Sequence, residues 1–272
     1  MNISVIIPTY KPSFYLWECL DSLVAQSFPK TDFEVLLILN GCCEPYNSQI
    51  NNWISGHSDL QVQYIQTDQG GVSNARNIAL DNAKGEYVTF IDDDDFVSPS
   101  YLEELYIRAT PDTVSLCYPY AFKDGILDKQ LKYPLTDTYY YCLSHKCNKL
   151  SSRARKYFSG PCMKLIPMSF IQGRRYDVRF KNGEDSLFMF LISDKIDKVA
   201  FTSTKAIYYR RFRKDSAVTA HRSTNERIIN NVRSIREYVR MYLNGRYSTF
   251  FLLTRLIAEI RGILLAPINS RR

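Results

Sequence analysis

The sequence lacks several patterns that would place it in a familiar class of protein. It has no run of about 18 apolar residues, which a transmembrane helix needs; the longest candidate, 247–265, is interrupted by three charged residues. Asn2 leads directly into an apolar segment without a basic stretch, so no export signal is expected. The seven cysteines are an odd number without framework spacing, which predicts reduced thiols in a cytoplasmic protein.

Motifs for common cofactors are also missing. No G-x-G-x-x-G follows the first predicted strand, and no G-x-x-x-x-G-K-[ST] occurs, so neither a dinucleotide site nor a P-loop is expected. Cys142, His145 and Cys147 lie close together in sequence and are an alternative set of candidate metal ligands. A structural zinc site usually takes four ligands, however, and no second pair has matching spacing.

The composition and charge are those of a globular chain with an unusual end. Of the 272 residues, 45% are hydrophobic and 14% aromatic, which excludes disorder. The net charge of +7 lies wholly in 222–272, which contain ten Arg, three Glu and neither Lys nor Asp. A basic and apolar tail predicts contact with an anionic surface.

Short apolar runs alternate with helical periodicity over the first 118 residues. Strands are predicted at 3–7, 33–39, 62–66, 87–91 and 114–118, with helices at 15–25, 50–54, 72–83 and after Ser98-Pro99 as N-cap and first helical residue. This order predicts a parallel, doubly wound α/β sheet. Beyond it we expect a long connection at 125–160, a helix at 184–192, strands at 199–203 and 206–212, and two helices within 224–265.

Polar residues collect where the predicted strands end, which is where open α/β sheets bind ligands. They are Thr9, Tyr10, Asn40, Thr67, Asp68 and the run Asp92 to Asp95. Adjacent carboxylates repel one another, and a divalent cation such as Mg²⁺ or Mn²⁺ is their simplest neutraliser. The alternative is a solvated acidic loop that caps the next helix.

Three segments in this order resemble the inverting family 2 glycosyltransferases: 4–10, 70–77 and 85–95. The segments 183–188 and 208–210, the latter with Ser216 and Thr219, resemble that family's later motifs, so the resemblance covers about 3–220. It implies the Rossmann-like nucleotide-diphospho-sugar transferase fold (GT-A), with a mostly parallel central sheet flanked by helices. The implied catalytic domain is 1–221, with a nucleotide-sugar half at 1–118 and an acceptor half at 119–221. A helical extension, 222–272, follows it.

The resemblance also implies a donor site that binds Mn²⁺ or Mg²⁺. Asp94 would ligate the metal, Asp92 would share that role or hold the ribose with Asp93, and His221 is a further candidate ligand. The other residues expected to bind the nucleotide sugar are Pro8, Thr9, Tyr10, Asn40, Asp68, Arg76, Lys164, Arg210 and Arg213. Asn40 departs from the family's usual Asp, which weakens the assignment of UDP as the nucleotide, although its amide oxygen can still accept a hydrogen bond from a base.

Glu184 and Asp185 stand at a predicted helix start and resemble the family's catalytic motif. Inverting transfer requires a base that deprotonates the acceptor hydroxyl, and a carboxylate suits this role. Asp185 is interpreted as the base and Glu184 as a supporting contact. The alternative is a pair of acids that merely stabilise the helix N-terminus.

The tail suggests the acceptor and the location of the protein. Apolar residues from Phe250 to Leu264 fall largely along one helical side, beside arginines, as in a helix that lies on anionic lipid. Together with the resemblance, this indicates transfer from a UDP-sugar to a lipid-linked or oligosaccharide acceptor in O-antigen or capsule synthesis, at the inner face of a bacterial membrane. The alternative is a helix packed on the domain or on a second copy in a homodimer. Nucleic-acid binding is not expected.

Two other functions remain open from the sequence. Asp93-x-Asp95-x-Val97 formally matches the nucleophile motif of haloacid-dehalogenase-type phosphatases, although it follows the fourth strand rather than the first. Because Asn40 departs from the family's usual Asp, the chain is alternatively a non-catalytic homologue that acts as a binding subunit.

Overall fold

The computed structural model describes residues 1–213 and 223–269. Its strands are β1 Ile3–Thr9, β2 Phe33–Asn40, β3 Val62–Thr67, β4 Tyr87–Phe90, β5 Phe96–Val97, β6 Thr113–Leu116, β7 Tyr118–Lys123, β8 Ile126–Gln130, β9 Lys164–Pro167, β10 Lys198–Phe201 and β11 Ile207–Phe212. Its helices are α1 Phe14–Val24, α2 Tyr46–Ser55, α3 Val72–Asn82, α4 Tyr101–Arg108, α5 Pro134–Ser144, α6 Met168–Ile171, α7 Glu184–Leu191, α8 Thr224–Leu243 and α9 Thr249–Asn269.

The central sheet has seven strands in the order β10-β6-β9-β4-β1-β2-β3. All are parallel except β9, which runs antiparallel between β4 and β6. Every residue of β1 and β2 is buried, which explains their continuous apolar sequences. The lone acid of β2, Glu34, accepts hydrogen bonds from Ser4 Oγ and Lys84 N, each at 2.7 Å. The predicted Rossmann-like GT-A architecture is confirmed.

A second sheet of four strands, β5-β11-β7-β8, stands beside the first. β11 pairs antiparallel with β5 and parallel with β7. Because β5 directly follows the acidic segment 92–95, this pairing brings the end of β11 next to those carboxylates.

Four local predictions were wrong. Residues 125–160 are not a plain connection, since they form β8, α5 and a short 3₁₀ helix, Ala154–Ser159. β9 was missed. The predicted strand 114–118 divides at Cys117, where the chain passes from one sheet to the other. Ser98 does not cap α4: its N–H donates to Ile207 O at 2.9 Å and its hydroxyl to Lys205 O at 2.6 Å, and Ser100 takes the N-cap position.

The two predicted C-terminal helices are present as an antiparallel pair. Tyr242 contacts Thr249 near the connection, and Asn231 contacts the backbone of Glu259 farther along. α8 packs on α7, where Tyr238 Oη lies 2.7 Å from Ser186 Oγ. The predicted apolar side of α9 is divided, because Phe251 is buried whereas Phe250 and Leu253 are exposed. No helix of the described residues is long and apolar enough to cross a membrane.

Candidate active site

The carboxyl ends of β1 and β2 are joined by one buried amide, that of Asn40. Its Nδ2 donates to Thr9 O at 2.7 Å, and its Oδ1 accepts from Gly71 N at 2.8 Å. The side chain therefore ties both strands to the start of α3. Each of its polar atoms has a partner within the protein, so a nucleobase would have to share or displace one of these bonds.

The four carboxylates that follow β4 have different environments. Asp95 is buried and accepts from Arg211 N at 2.7 Å, and Asp93 accepts from Thr9 Oγ1 at 2.5 Å. The side chains of Asp92 and Asp94 remain 33% and 20% exposed. Burial raises the pKa of Asp93 to about 7, against the effect of the Thr9 hydrogen bond. It also raises the pKa of Asp94, to which the charge of Asp92 adds.

Arg76 of α3 connects this acidic segment to the start of α7. Its Nη1 lies 2.6 Å from Asp185 Oδ1 and its Nη2 lies 3.0 Å from Asp92 Oδ1, while its side chain is only 3% exposed. The guanidinium also lies 5.4 Å from the centre of the Tyr176 ring. We call Arg76, Asp92 and Asp185 the Arg76 clamp. It places the two acidic motifs, separated by about ninety residues in sequence, at the two ends of one guanidinium.

Asp185 owes its position to the turn that precedes α7. Gly183 caps this helix with φ of 79°, a left-handed conformation that strains any residue with a Cβ. Glu184 and Asp185 then occupy the first helical turn, where the helix dipole favours negative charge. Burial raises the pKa of Asp185, and the charge of Arg76 opposes that rise. A carboxylate with a raised pKa and about a third of its surface exposed is suited to accept a proton from a substrate.

A second arginine holds the acidic segment from its other side. Arg211 of β11 lies 2.6 Å from Glu18 Oε2 and 2.9 Å from Asp124 Oδ1. Its Nε donates to Asp94 O at 2.9 Å. We call Arg211, Glu18 and Asp124 the Arg211 clamp. None of these three residues was predicted, because the paired residues lie 87 or more positions apart in sequence and belong to no recognisable motif.

The other predicted donor-site residues differ in position. Arg213 Nη2 lies 2.5 Å from Asp94 Oδ2, and the pKa of Arg210 is raised by Asp95 although burial opposes this. Lys164 is fully buried, and its Nζ donates to Gly160 O and Cys162 O at 2.6 Å; burial lowers its pKa to about 8.

Three predicted residues lie at the rim of the site or beyond the described residues. The side chain of Tyr10 is half exposed at the end of β1. Asp68 is exposed and accepts from Gln66 Nε2 at 2.9 Å. His221 lies outside the residues that the structure describes.

The acidic segment fits a divalent cation that is held mainly by its substrate. No group of three or more His, Cys, Asp or Glu among the described residues is arranged to hold a metal ion, including the alternative at Cys142, His145 and Cys147. Mg²⁺ usually takes only one or two carboxylates and completes its shell with water and phosphate oxygens. Asp92 and Asp94 supply such a pair of carboxylates, which here bond Arg76 and Arg213 respectively.

Comparison with known proteins decides the family. The model of glycosyl transferase family 2 matches residues 4–170, which is more than half of the chain. The chain belongs to glycosyl transferase family 2. The resemblance of its motifs to family 2 glycosyltransferases is thereby confirmed.

Two bacterial transferases illustrate the similarity in sequence. Poly(ribitol-phosphate) beta-N-acetylglucosaminyltransferase TarS of Staphylococcus aureus strain Mu50 is 39% identical over 104 residues, or 38% of this chain. The GalNAc(5)-diNAcBac-PP-undecaprenol beta-1,3-glucosyltransferase of Campylobacter jejuni is 26% identical over 227 residues, covering 82% of this chain and 69% of the relative. This chain spans only 18% of the length of TarS.

Two solved structures share the fold. The structure of TarS residues 1–349 with UDP-GlcNAc matches 96% of this chain and 72% of its own, with a TM-score of 0.73 and 23% identity. The mannosyltransferase PcManGT of Pyrobaculum calidifontis, in complex with GDP-Man and Mn²⁺, matches 98% of this chain and 73% of its own, with a TM-score of 0.67 and 17% identity.

Proposed function

We propose that this protein is an inverting glycosyltransferase that moves a sugar from a nucleotide-sugar donor to a hydroxyl of a glycan acceptor. The observation that carries the proposal is the Arg76 clamp. The Arg76 guanidinium contacts both Asp185, which resembles the family's base, and Asp92, which belongs to the acidic segment that resembles the family's diphosphate site.

In the proposed transfer, Asp185 is the residue that moves the proton. Asp185 accepts the proton of the acceptor hydroxyl as that oxygen forms a bond to the anomeric carbon of the sugar. The bond from the anomeric carbon to the diphosphate oxygen breaks on the opposite side, and the nucleoside diphosphate leaves with the electron pair. Attack opposite to the leaving group inverts the configuration, so an α-linked donor gives a β-linked product.

The residues around the diphosphate supply charge and position. Asp92 and Asp94 would hold a Mn²⁺ or Mg²⁺ ion, which neutralises the charge that develops on the leaving diphosphate. Arg213 and Arg210 are near enough to the acidic segment to bind the phosphates once Asp94 is engaged elsewhere. The nucleobase would lie at the carboxyl ends of β1 and β2, between half-exposed Tyr10 and the buried residues Pro8, Thr9 and Asn40.

A UDP-sugar is the donor that we propose, and a polyprenyl-diphosphate-linked glycan is the acceptor. The support is by analogy: TarS was solved with UDP-GlcNAc, and the Campylobacter relative is named for an undecaprenol-linked acceptor. Both are consistent with a role in bacterial surface polysaccharide synthesis.

The two alternatives make different predictions. A phosphatase of the haloacid dehalogenase type would need Asp93 free as a nucleophile and Asp95 free as an acid, but Asp93 is bonded to Thr9 and Asp95 is buried against Arg211. Family membership also counts against it. A non-catalytic homologue would bind the nucleotide without turnover.

The test separates binding from chemistry in one variant. Release of UDP from a UDP-sugar, with Mn²⁺ and a crude lipid-linked glycan fraction, is measured for the wild-type protein and for Asp185→Asn, and UDP binding is titrated for both. We expect the variant to lose turnover on the order of 10³-fold while its affinity for UDP changes little. Near-normal turnover in Asp185→Asn would remove Asp185 as the base.

A further inference from the structure

The outer sides of α8 and α9 form a surface that the family motifs do not include. α9 exposes large apolar side chains at alternating intervals of three and four residues: Phe250, Leu253, Ile257, Ile260 and Leu264. α8 repeats these intervals with Ile229, Val232, Val239 and Leu243, and exposed Arg236 takes the middle position. Side chains at such intervals share one side of a helix. We call these nine apolar side chains the outer apolar face.

The outer apolar face points away from the rest of the described chain. The opposite side of α8 buries Ser234 and Tyr238, and the latter bonds to Ser186 of α7. The opposite side of α9 buries Phe251 and Arg255, and the Arg255 guanidinium donates to Phe158 O. Packing inside the described chain therefore uses the other side of each helix and leaves this one uncovered.

Arginines accompany the outer apolar face, whereas acids are withdrawn from it. Exposed arginines lie within or directly beside the apolar positions: Arg233, Arg236, Arg240 and Arg261. Glu237 is buried on the opposite side of α8, and Glu259 is partly buried against α8. Glu226 is exposed but lies in the first turn of α8, where it completes a capping box with Ser223. The exposed charge beside the apolar side chains is therefore mostly positive.

We propose that the outer apolar face and its arginines dock onto a lipid surface that carries anionic headgroups. Apolar side chains beside long cationic ones suit the boundary between acyl chains and headgroups, because the arginine stems can lie along the apolar layer while their charges reach the phosphates. A second copy of this chain is a poorer partner, since a symmetric interface would bring the same arginines against one another. The proposal goes beyond the proposed function because docking needs neither donor nor turnover.

The experiment measures vesicle binding of the whole chain without any nucleotide sugar. The protein is floated with vesicles of phosphatidylcholine alone and with vesicles in which half the lipid is phosphatidylglycerol, at low and high salt. One variant, Ile257→Gln with Ile260→Gln, removes apolar contact, and a second, Arg233→Gln with Arg236→Gln, removes charge. The matched control is Ile107→Gln with Arg108→Gln, an exposed apolar and basic pair on α4.

We expect binding to the anionic vesicles alone, and weaker binding at high salt. Each lost arginine should reduce affinity about fivefold, so the charge variant should bind on the order of 25-fold more weakly. The apolar variant should also bind more weakly, and the α4 control should bind like the wild type. Circular dichroism confirms that each variant is folded.

Three results would overturn the proposal. The first is the absence of binding to anionic vesicles, and the second is binding that both variants retain in full. The third is self-association in solution that both variants abolish while vesicle binding stays absent, which would assign the face to a second copy. Because no turnover is measured, failure here leaves the proposed function standing, and failure of the transferase test leaves this proposal standing.

Discussion

The two clamps on either side of the acidic segment share one chemistry and differ in what they hold. Each is a buried arginine between two partly exposed carboxylates, with nitrogen–oxygen distances of 2.6 to 3.0 Å. The Arg76 clamp joins two side chains that open toward the site. Arg211 also fixes the acidic segment itself, since its Nε donates to Asp94 O and its backbone N–H donates to Asp95 Oδ1.

This difference shows that a buried ion pair does not reveal its role by itself. Replacing either arginine leaves two carboxylates without their cation, and that cost is structural in both cases. Only the Arg76 clamp includes a group that we expect to exchange a proton with substrate. Substitutions around the two clamps should therefore separate when turnover, pH dependence and stability are measured together.

After the loss of turnover expected for Asp185→Asn, the largest effect is expected at Asp94, which lies between the clamps. Asp94→Asn removes the charge that a divalent cation would require but keeps the backbone carbonyl that Arg211 binds. UDP affinity measured with Mn²⁺ should fall on the order of 100-fold, and the affinity measured without metal should change little. Calorimetric titration makes the measurement, with Asp128→Asn, an exposed carboxylate on β8, as the control. Equal titrations of variant and wild type in Mn²⁺ would exclude Asp94 as a metal ligand.

The next effect distinguishes the Arg76 clamp by its pH dependence. Arg76→Gln removes the charge that opposes the raised pKa of Asp185, so that pKa should rise further. Less of the base is then deprotonated at a given pH, and the acid limb of kcat/KM against pH should move to higher pH, with turnover near neutrality falling about tenfold. Arg76→Lys should restore part of the shift. An acid limb that stays in place would show that Arg76 has no electrostatic influence on the base.

The matching substitution in the other clamp should act on stability. Arg211→Gln should lower the free energy of unfolding by about 2 kcal/mol, a value reduced because Glu18 and Asp124 are partly exposed. The acid limb of its pH profile should coincide with that of the wild type. Urea unfolding and the same pH series test this. A shift as large as that of Arg76→Gln would abolish the distinction between the clamps.

The smallest effect concerns Asn40, the departure from the family pattern. Asn40→Asp replaces the amide that donates to Thr9 O with a carboxylate that can only accept. This should lower the free energy of unfolding by about 1 to 2 kcal/mol at neutral pH. As the pH falls through the raised pKa of the new buried carboxyl, it gains a proton that it can donate, so stability relative to the wild type should recover. Urea unfolding at two pH values measures this. A deficit that is independent of pH would indicate a different cause.

Much of the fold could be predicted because its signals are local. The fully buried strands β1 and β2 appear as continuous apolar runs, and the helices α1 and α3 show apolar periodicity. The Tyr-rich α5 and the short β9 were missed, since Tyr139 and Lys164 are polar in type yet fully buried. The burial of Tyr139 depends on Thr202 O, which lies 63 residues away and outside any local window of sequence. The burial of Lys164 depends on how the chain folds back on itself, since its Nζ donates to the nearby carbonyls of Gly160 and Cys162.

The candidate site was predictable to the extent that it lies in motifs. The acidic segment and the start of α7 could be named from sequence, and both stand in the site. That one arginine joins them could not be foreseen, because Arg76 and Asp185 are 109 residues apart. The Arg211 clamp was hidden for the same reason. The apolar side of α9 was misassigned in part because periodicity shows that a side exists but not which of its residues pack on the core.

The most direct test of the central claim is a thermal-shift panel of the wild-type protein with UDP, GDP, CMP and dTDP, each with and without Mn²⁺. A ligand that binds only the folded state raises the melting temperature by mass action. The account predicts a shift with UDP that depends on Mn²⁺. The absence of a shift with all four nucleotides, in the presence of Mn²⁺, would contradict a nucleotide-diphosphate site at the acidic segment.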